Sequence, residues 1–163
     1  MSSQGTHAHD TRGTVSAAGQ RIALLVARFN RDITEALLRG AQECLAEHGA
    51  REDHVDVYRV PGAWELPQAA ARVARKARHD AIVTLGCVIR GETPHFEFVC
   101  SEANRGLGAV AREATIPVVF GVLTTDDRAQ ALARAGEGPG NKGYEVALSA
   151  LQMVALFREL EDR

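Results

Sequence analysis

No apolar run in this chain approaches the roughly 20 residues needed to cross a bilayer, so the sequence predicts a soluble protein. Charge of one sign is also missing. With 19 basic and 21 acidic residues the net charge is −2, too small for a long-range field that gathers nucleic acid, an anionic membrane or a strongly charged partner. Any anion bound here must therefore be held by local geometry. Cysteines are few: Cys44, Cys87 and Cys100 have no Cys-x-x-Cys spacing and fall in helical or strand-like stretches, the pattern of reduced structural thiols in a cytoplasmic protein. No Gly-x-Gly-x-x-Gly follows a strand, which removes the usual support for a dinucleotide cofactor. Residues 1–19 are small and polar and lack the basic and apolar regions of a secretory signal. They read as a disordered or loosely docked tail ahead of one domain over 20–163.

What the chain does contain is an alternation, from residue 21 onward, of short Val- and Ile-rich runs with longer stretches of helical spacing, the pattern of a parallel α/β sheet. Strands are expected at 22–27, 55–60, 81–89 and 117–123, and helices at 32–48, 65–79, 93–114, 126–135 and 143–160. Gly49 is placed to end the first helix, and Pro67 is tolerated in the first turn of the second. Thr93-Pro94 reads as N-cap and first residue of the third. Four strands joined this way predict a three-layer α/β/α sandwich with a four-stranded parallel sheet. Open sheets of this kind bind ligands outside the carboxyl ends of their strands. That rule selects the loops 28–30, 62–65, 90–95 and 124–126.

The loop Gly91-Glu92-Thr93-Pro94-His95 offers the most chemistry in one place. Free N–H groups at a helix start, backed by the helix dipole, suit a phosphate or carboxylate around Gly91, Glu92 and Thr93, and the His95 imidazole could move protons at the same ligand. The plainer alternative is a solvated first-turn histidine. Phe29 and Trp64 stand in strand-end loops where polar residues are usual, so each is either a platform for a flat heterocycle or a plug for the core or a subunit contact. Glu65 either bonds ligand hydroxyls or complements its own helix dipole. The stretch 136–143 resembles a phosphate loop, but Asn141 precedes Lys142 where a Walker A loop needs glycine, so ATP binding is disfavoured. Arg134 and Lys142 flank that stretch as two cations or as ordinary surface charge. His95-x-Glu97 lacks the Pro-Cys-x-x-Cys that would complete a zinc-deaminase motif, and no metal is expected.

Taken together, Ala27-Arg28-Phe29-Asn30, Pro61 through Pro67, Gly86 through Phe96, Phe120 through Thr125, Arg134-Ala135-Gly136 and Asn141-Lys142-Gly143 resemble the lumazine synthase family over residues 20 to 160. The resemblance implies a flavodoxin-like subunit assembled into pentamers, with each active site shared between neighbours. It implies that Phe29 stacks on a pyrimidinedione ring, that Asn30, Ala63 and Glu65 line the ribityl side, with Trp64 either tightening that pocket or filling an interface, and that Val88 and Ile89 hold the ring edge. Gly91, Glu92 and Thr93 would offer main-chain N–H groups to a phosphate, with the Glu92 side chain turned away and His95 as proton carrier. From the adjacent subunit would come Phe120 as a cover, Arg134 on the phosphate and Lys142 beside the substrates. The implied reaction joins 5-amino-6-(ribitylamino)uracil to 3,4-dihydroxy-2-butanone 4-phosphate without a cofactor, in the cytoplasm, with riboflavin synthase as a further candidate partner.

Trp64 departs from the phenylalanine common at its position, and the link 137–140 lacks a lysine that many relatives carry there. The short glycine-rich link is more similar to relatives that build icosahedral shells than to those with long insertions. Two rivals stand beside this reading: an archaeal-type riboflavin synthase on the same fold, and a non-catalytic flavin-binding shell.

Overall fold

The computed structural model describes residues 15–162, and its sheet follows from which strands are apolar on both sides. Strand β1 (Ile22–Ala27) is buried at every position, and β3 (Ala81–Ile89) at all but its last two. Such strands can lie only in the middle of a covered sheet. They pair in parallel with each other, with β2 (Val55–Val60) beside β1 and β4 (Val118–Thr125) beside β3, so the order is β2-β1-β3-β4. Alternation along β1 then divides the core. Ile22, Leu24 and Val26 face α1 (Arg31–Glu47) and α5 (Lys142–Glu161), while Ala23, Leu25 and Ala27 face α2 (Leu66–Arg75) and α3 (His95–Glu113). The result is the three-layer flavodoxin-like sandwich expected, with the short α4 (Arg128–Ala133) beside β4. Among the described residues no helix is long and apolar enough to cross a membrane.

The strand limits at 22–27, 55–60 and 81–89 agree with expectation, whereas several helix limits do not, each for a local reason. Helix α2 stops at Arg75 rather than 79, because Ala77 adopts φ 50° and turns the chain toward β3. The residues beyond it are used elsewhere: His79 is buried with its Nε2 2.7 Å from Asp56 Oδ2, and Asp80 exchanges two hydrogen bonds with Arg21, each 2.7 Å. Helix α3 starts at His95, although Pro94 is already helical and Thr93 Oγ1 accepts from the His95 N–H at a long 3.4 Å. Strand β4 runs two residues past 123, since Thr124 and Thr125 still pair with Val88 and Ile89. Asp127, not Asp126, caps α4, accepting from the Gln130 N–H at 2.8 Å. Residues 1–14 of the expected tail lie outside the described residues. Further along, Ala17 is fully buried and its N–H donates to the His48 carbonyl at 2.8 Å.

One buried side chain joins α1, the glycine-rich link and α5. Asn141 caps α5 by accepting from the Gly143 and Tyr144 N–H groups at 2.7 and 3.3 Å, and its amide donates to the Ala36 and Gly136 carbonyls at 3.1 and 2.6 Å. The expected start at 143 is thus one residue late: Asn141 is the cap and Lys142 the first helical residue. Farther along the same contact Tyr144 donates to Glu47 Oε2 at 2.6 Å, and that carboxylate, with burial, pushes the phenol up to about 12.

Candidate active site

Beyond the carboxyl ends of the strands lies a cleft of about 530 Å³. Its first wall is made where β1 stops. The chain continues the ladder briefly, with Arg28 N–H donating to the Val60 carbonyl at 2.8 Å and Phe29 N–H to Pro61 at 3.0 Å, which fixes the backbone and leaves the Phe29 ring 70% exposed at the cleft. A ring this exposed contributes little to the core and is available for stacking. Asn30 then takes the left-handed conformation, φ 54°, that swings the chain into α1. Its amide donates to the Cys87 carbonyl at 2.9 Å, tying β1 to β3, and it is not among the lining residues.

The second wall comes from the turn after β2, where Ala63, Trp64 and Glu65 all line the cleft. Glu65 Oε2 accepts from the Gly62 N–H at 2.9 Å, so the carboxylate is held by its own turn with its other oxygen left for a ligand hydroxyl. Trp64 is half exposed beside it. The floor is the end of β3, Cys87, Val88 and Ile89, and the far side is Gly91, Thr93, His95, Phe96 and Val99. Glu92 is exposed and outside the lining, consistent with a side chain turned away from an anion in the cleft.

Cys87, Phe96 and Val99 received no role from sequence, although alternation along β3 and the three-residue spacing on α3 carry that signal. Arg90 was also passed over. Its guanidinium ion-pairs with Glu97, donates to Asp126 Oδ1 at 3.0 Å and lies 4.3 Å from the Phe96 ring centroid.

Among the described residues no lysine or arginine lines the cleft. Phe120, Arg134 and Lys142 are placed elsewhere by a single chain: Phe120 is exposed on the edge strand β4, Arg134 ends α4 with its guanidinium on the Gln130 carbonyl at 2.9 Å, and Lys142 pairs with Glu145. Lys142 N–H donates to the Arg134 carbonyl at 2.9 Å, so these two cations belong to one patch. Among the described residues no group of three or more His, Cys, Asp or Glu side chains could hold a metal ion.

The sequence family described as 6,7-dimethyl-8-ribityllumazine synthase matches residues 19–158. Proteins of that name from Chlorobium chlorochromatii, Chlorobium phaeobacteroides and Clostridium kluyveri are 46%, 49% and 48% identical to this chain, covering 94%, 90% and 91% of it and 99%, 95% and 97% of their own lengths. This chain belongs to the 6,7-dimethyl-8-ribityllumazine synthase family. The match runs from before β1 into the last turns of α5, so every strand-end loop around the cleft is a lumazine synthase segment.

For this lumazine synthase family member the cleft thiol is a poor nucleophile. Burial and the Asp32 carboxylate push Cys87 up to about 11, and burial pushes Cys44 to about 12. A raised thiol stays protonated below its ordinary value and ionises only as pH climbs through the higher one. Iodoacetamide at neutral pH should therefore leave Cys87 unlabelled in the folded protein and label it after denaturation, as read by peptide mass spectrometry. Stability should fall above the ordinary thiol value, where the unfolded chain ionises first.

Proposed function

We propose that this chain condenses 5-amino-6-(ribitylamino)uracil with 3,4-dihydroxy-2-butanone 4-phosphate to 6,7-dimethyl-8-ribityllumazine, the penultimate step of riboflavin biosynthesis. The observation that carries the reading is the composition of the cleft: an exposed ring at Phe29, a half-committed carboxylate at Glu65 and a helix start with His95. Such a site favours the joining of two reactants by holding them in register, with one group to relay protons.

In this reading Phe29 stacks on the pyrimidinedione, Val88 and Ile89 hold its edge, and Ala63, Trp64 and Glu65 surround the ribityl chain, while Asn30 supports that wall through its hydrogen bond to the Cys87 carbonyl. The phosphate rests on the N–H groups of Gly91, Glu92 and Thr93 at the start of α3. The primary amine attacks the ketone and water leaves, giving an imine. A proton is then lost from the neighbouring carbon and phosphate departs from the next, forming an enol that tautomerises to a second ketone. The ribityl-bearing amine attacks that ketone, and loss of a second water closes the ring. His95 is positioned to carry the protons of these steps, and no cofactor is called for.

A phosphate dianion in a cleft with no cationic side chain needs a counter-charge from outside the chain. We assign that charge to Arg134 of a neighbouring subunit, accompanied by its Lys142 and Phe120, in a pentameric assembly that light scattering should find as a pentamer or a multiple of it. A cytoplasmic setting, with riboflavin synthase receiving the product, completes the proposal.

Mixing the purified protein with both substrates, and following lumazine fluorescence and phosphate release against a protein-free control, tests the reading. Acceleration that saturates in both substrates supports it; riboflavin formed from lumazine alone, or riboflavin binding without acceleration, contradicts it. In the same assay His95→Ala should lower kcat by about a hundredfold or more, the size of a lost proton relay, with smaller changes in either KM.

A further inference from the structure

Among the described residues, Gly91, Glu92 and Thr93 of the loop that bears the expected anion cradle make no backbone–backbone hydrogen bond, because β3 ends at Ile89 and α3 begins at His95, and only the Pro94 carbonyl is engaged, by the first turn of α3. A four-residue span of this kind holds its N–H groups in one direction only if both ends are fixed. Arg90 fixes both. Its N–H donates to the Thr125 carbonyl at 2.9 Å, extending the β3–β4 ladder by one rung at the near end. Its side chain reaches across to the far end, where it pairs with Glu97 and lies against Phe96, the two residues that follow His95. A second donor, Nε, anchors the guanidinium to Asp126 Oδ1 at 3.0 Å in the loop after β4.

Charge adds a second effect. Glu97, in the first turn of α3, and Asp126, in the loop after β4, place two carboxylates on either side of the cradle's anchor, and Arg90 is the cation paired with both. With Arg90 present the group carries one net negative charge, and without it two, next to the position proposed for a phosphate dianion. Like charges at that range oppose binding even through solvent.

We propose that Arg90 is a positioning residue for the phosphate subsite: a clip, built from Asp126, Glu97 and Phe96, that closes the 91–94 loop and masks two carboxylates from the anion. The proposal rests on the reading of the cleft as a phosphate-binding site. Arg90 holds the Glu97 carboxyl below the usual carboxylate range, so the clip is closed throughout the neutral range and opens only in acid, as Glu97 takes up its proton. Each ion pair in it is solvent-exposed, so its loss costs little global stability and a variant remains folded.

Two substitutions with opposite charge effects test it in the intact protein, with inorganic phosphate as the calorimetric probe and both substrates in steady-state kinetics. Arg90→Gln should weaken phosphate binding by about tenfold and raise KM for the sugar phosphate by a similar factor, leaving KM for the pyrimidinedione unchanged. Glu97→Gln keeps an acceptor for Arg90 and removes a repelling charge, so phosphate should bind as tightly as in the wild type or tighter. Arg90→Lys should recover part of the loss, since it restores charge without the planar fork. The proposal is overturned if wild-type protein binds no phosphate, if Arg90→Gln binds it normally, or if Arg90→Gln and Glu97→Gln weaken it alike. Should the wild type bind phosphate with the expected order of variants yet condense nothing, the condensation reading fails and the clip stands.

Discussion

Gly143→Ala is expected to cost about 3 kcal/mol of stability and to lower Tm by roughly 10 °C, although alanine is ordinarily the better helix former by about 1 kcal/mol. Gly143 lies in the first turn of α5 with no left-handed φ to protect. The obstacle is steric. A Cβ there would fall inside the Leu37 carbonyl oxygen of α1 and 2.6 Å from its carbon, and would also crowd Asn141 Oδ1 at 2.9 Å. None of these atoms is the free end of a flexible side chain: the first two are backbone, and Asn141 is held by four hydrogen bonds. Relief requires α1 and α5 to separate, which opens the core they share over β1 and β3. Gly136→Ala provides the control, since a Cβ at that position meets nothing within 4 Å and should leave Tm nearly unchanged. Thermal unfolding followed by circular dichroism distinguishes the two, and equal midpoints would contradict the packing argument.

Arg134→Ala should raise KM for the sugar phosphate by about a hundredfold, the order expected when a bidentate guanidinium–phosphate contact is lost, while affinity for the pyrimidinedione changes by less than about twofold. The asymmetry follows from the cleft, which contains a stacking ring and a carboxylate but no cation. Equal weakening toward both substrates would refute the assignment. The proposed origin of Arg134 in a neighbouring subunit has its own consequence. Arg134→Ala and His95→Ala are each defective alone, but in mixed assemblies some clefts with an intact His95 will face a neighbour with an intact Arg134. Random co-assembly gives such pairs at about a quarter of the sites, so denaturing and refolding the two variants together should restore about a quarter of wild-type activity. Recovery no greater than the sum of the separate variants would place Arg134 and His95 in the same chain's site.

The sheet was legible in the sequence because its two central strands are buried on both faces, so that Ile22–Ala27 and Ala81–Ile89, interrupted only by Thr84, read as nearly continuous apolar runs. Helix ends were less so, since they depend on partners far away in sequence. Nothing local in Arg75-Lys76-Ala77-Arg78-His79 announces that His79 is committed to Asp56, or that Ala77 must turn left-handed to deliver it. Asp126 has the residue type of a helix cap, yet its carboxylate is drawn to Arg90, and Asp127 caps instead. The same limit applies to the site. Phe29, Trp64 and Glu65 stood out because an aromatic or acidic residue at a strand end is locally unusual, whereas Arg90 resembles any surface arginine until Asp126 and Glu97 are brought to it.

The pairing of the first helix with the last also governs the order in which the nascent chain can close. The layer of α2 and α3 is synthesised before β4, and its side of the sheet can bury Leu25, Ile82, Leu66 and Leu107 while the rest is still emerging. On the opposite side Ile33, Leu37, Ala41 and Cys44 wait for Tyr144, Ala147 and Leu151 of α5, which emerge only after β4. Until then the exposed stripe of α1 is the part of the molecule most open to chaperones, proteases and misassociation with other unfinished chains. Asn141, which arrives just ahead of α5 and grips the Ala36 carbonyl, is the latch that ends that interval.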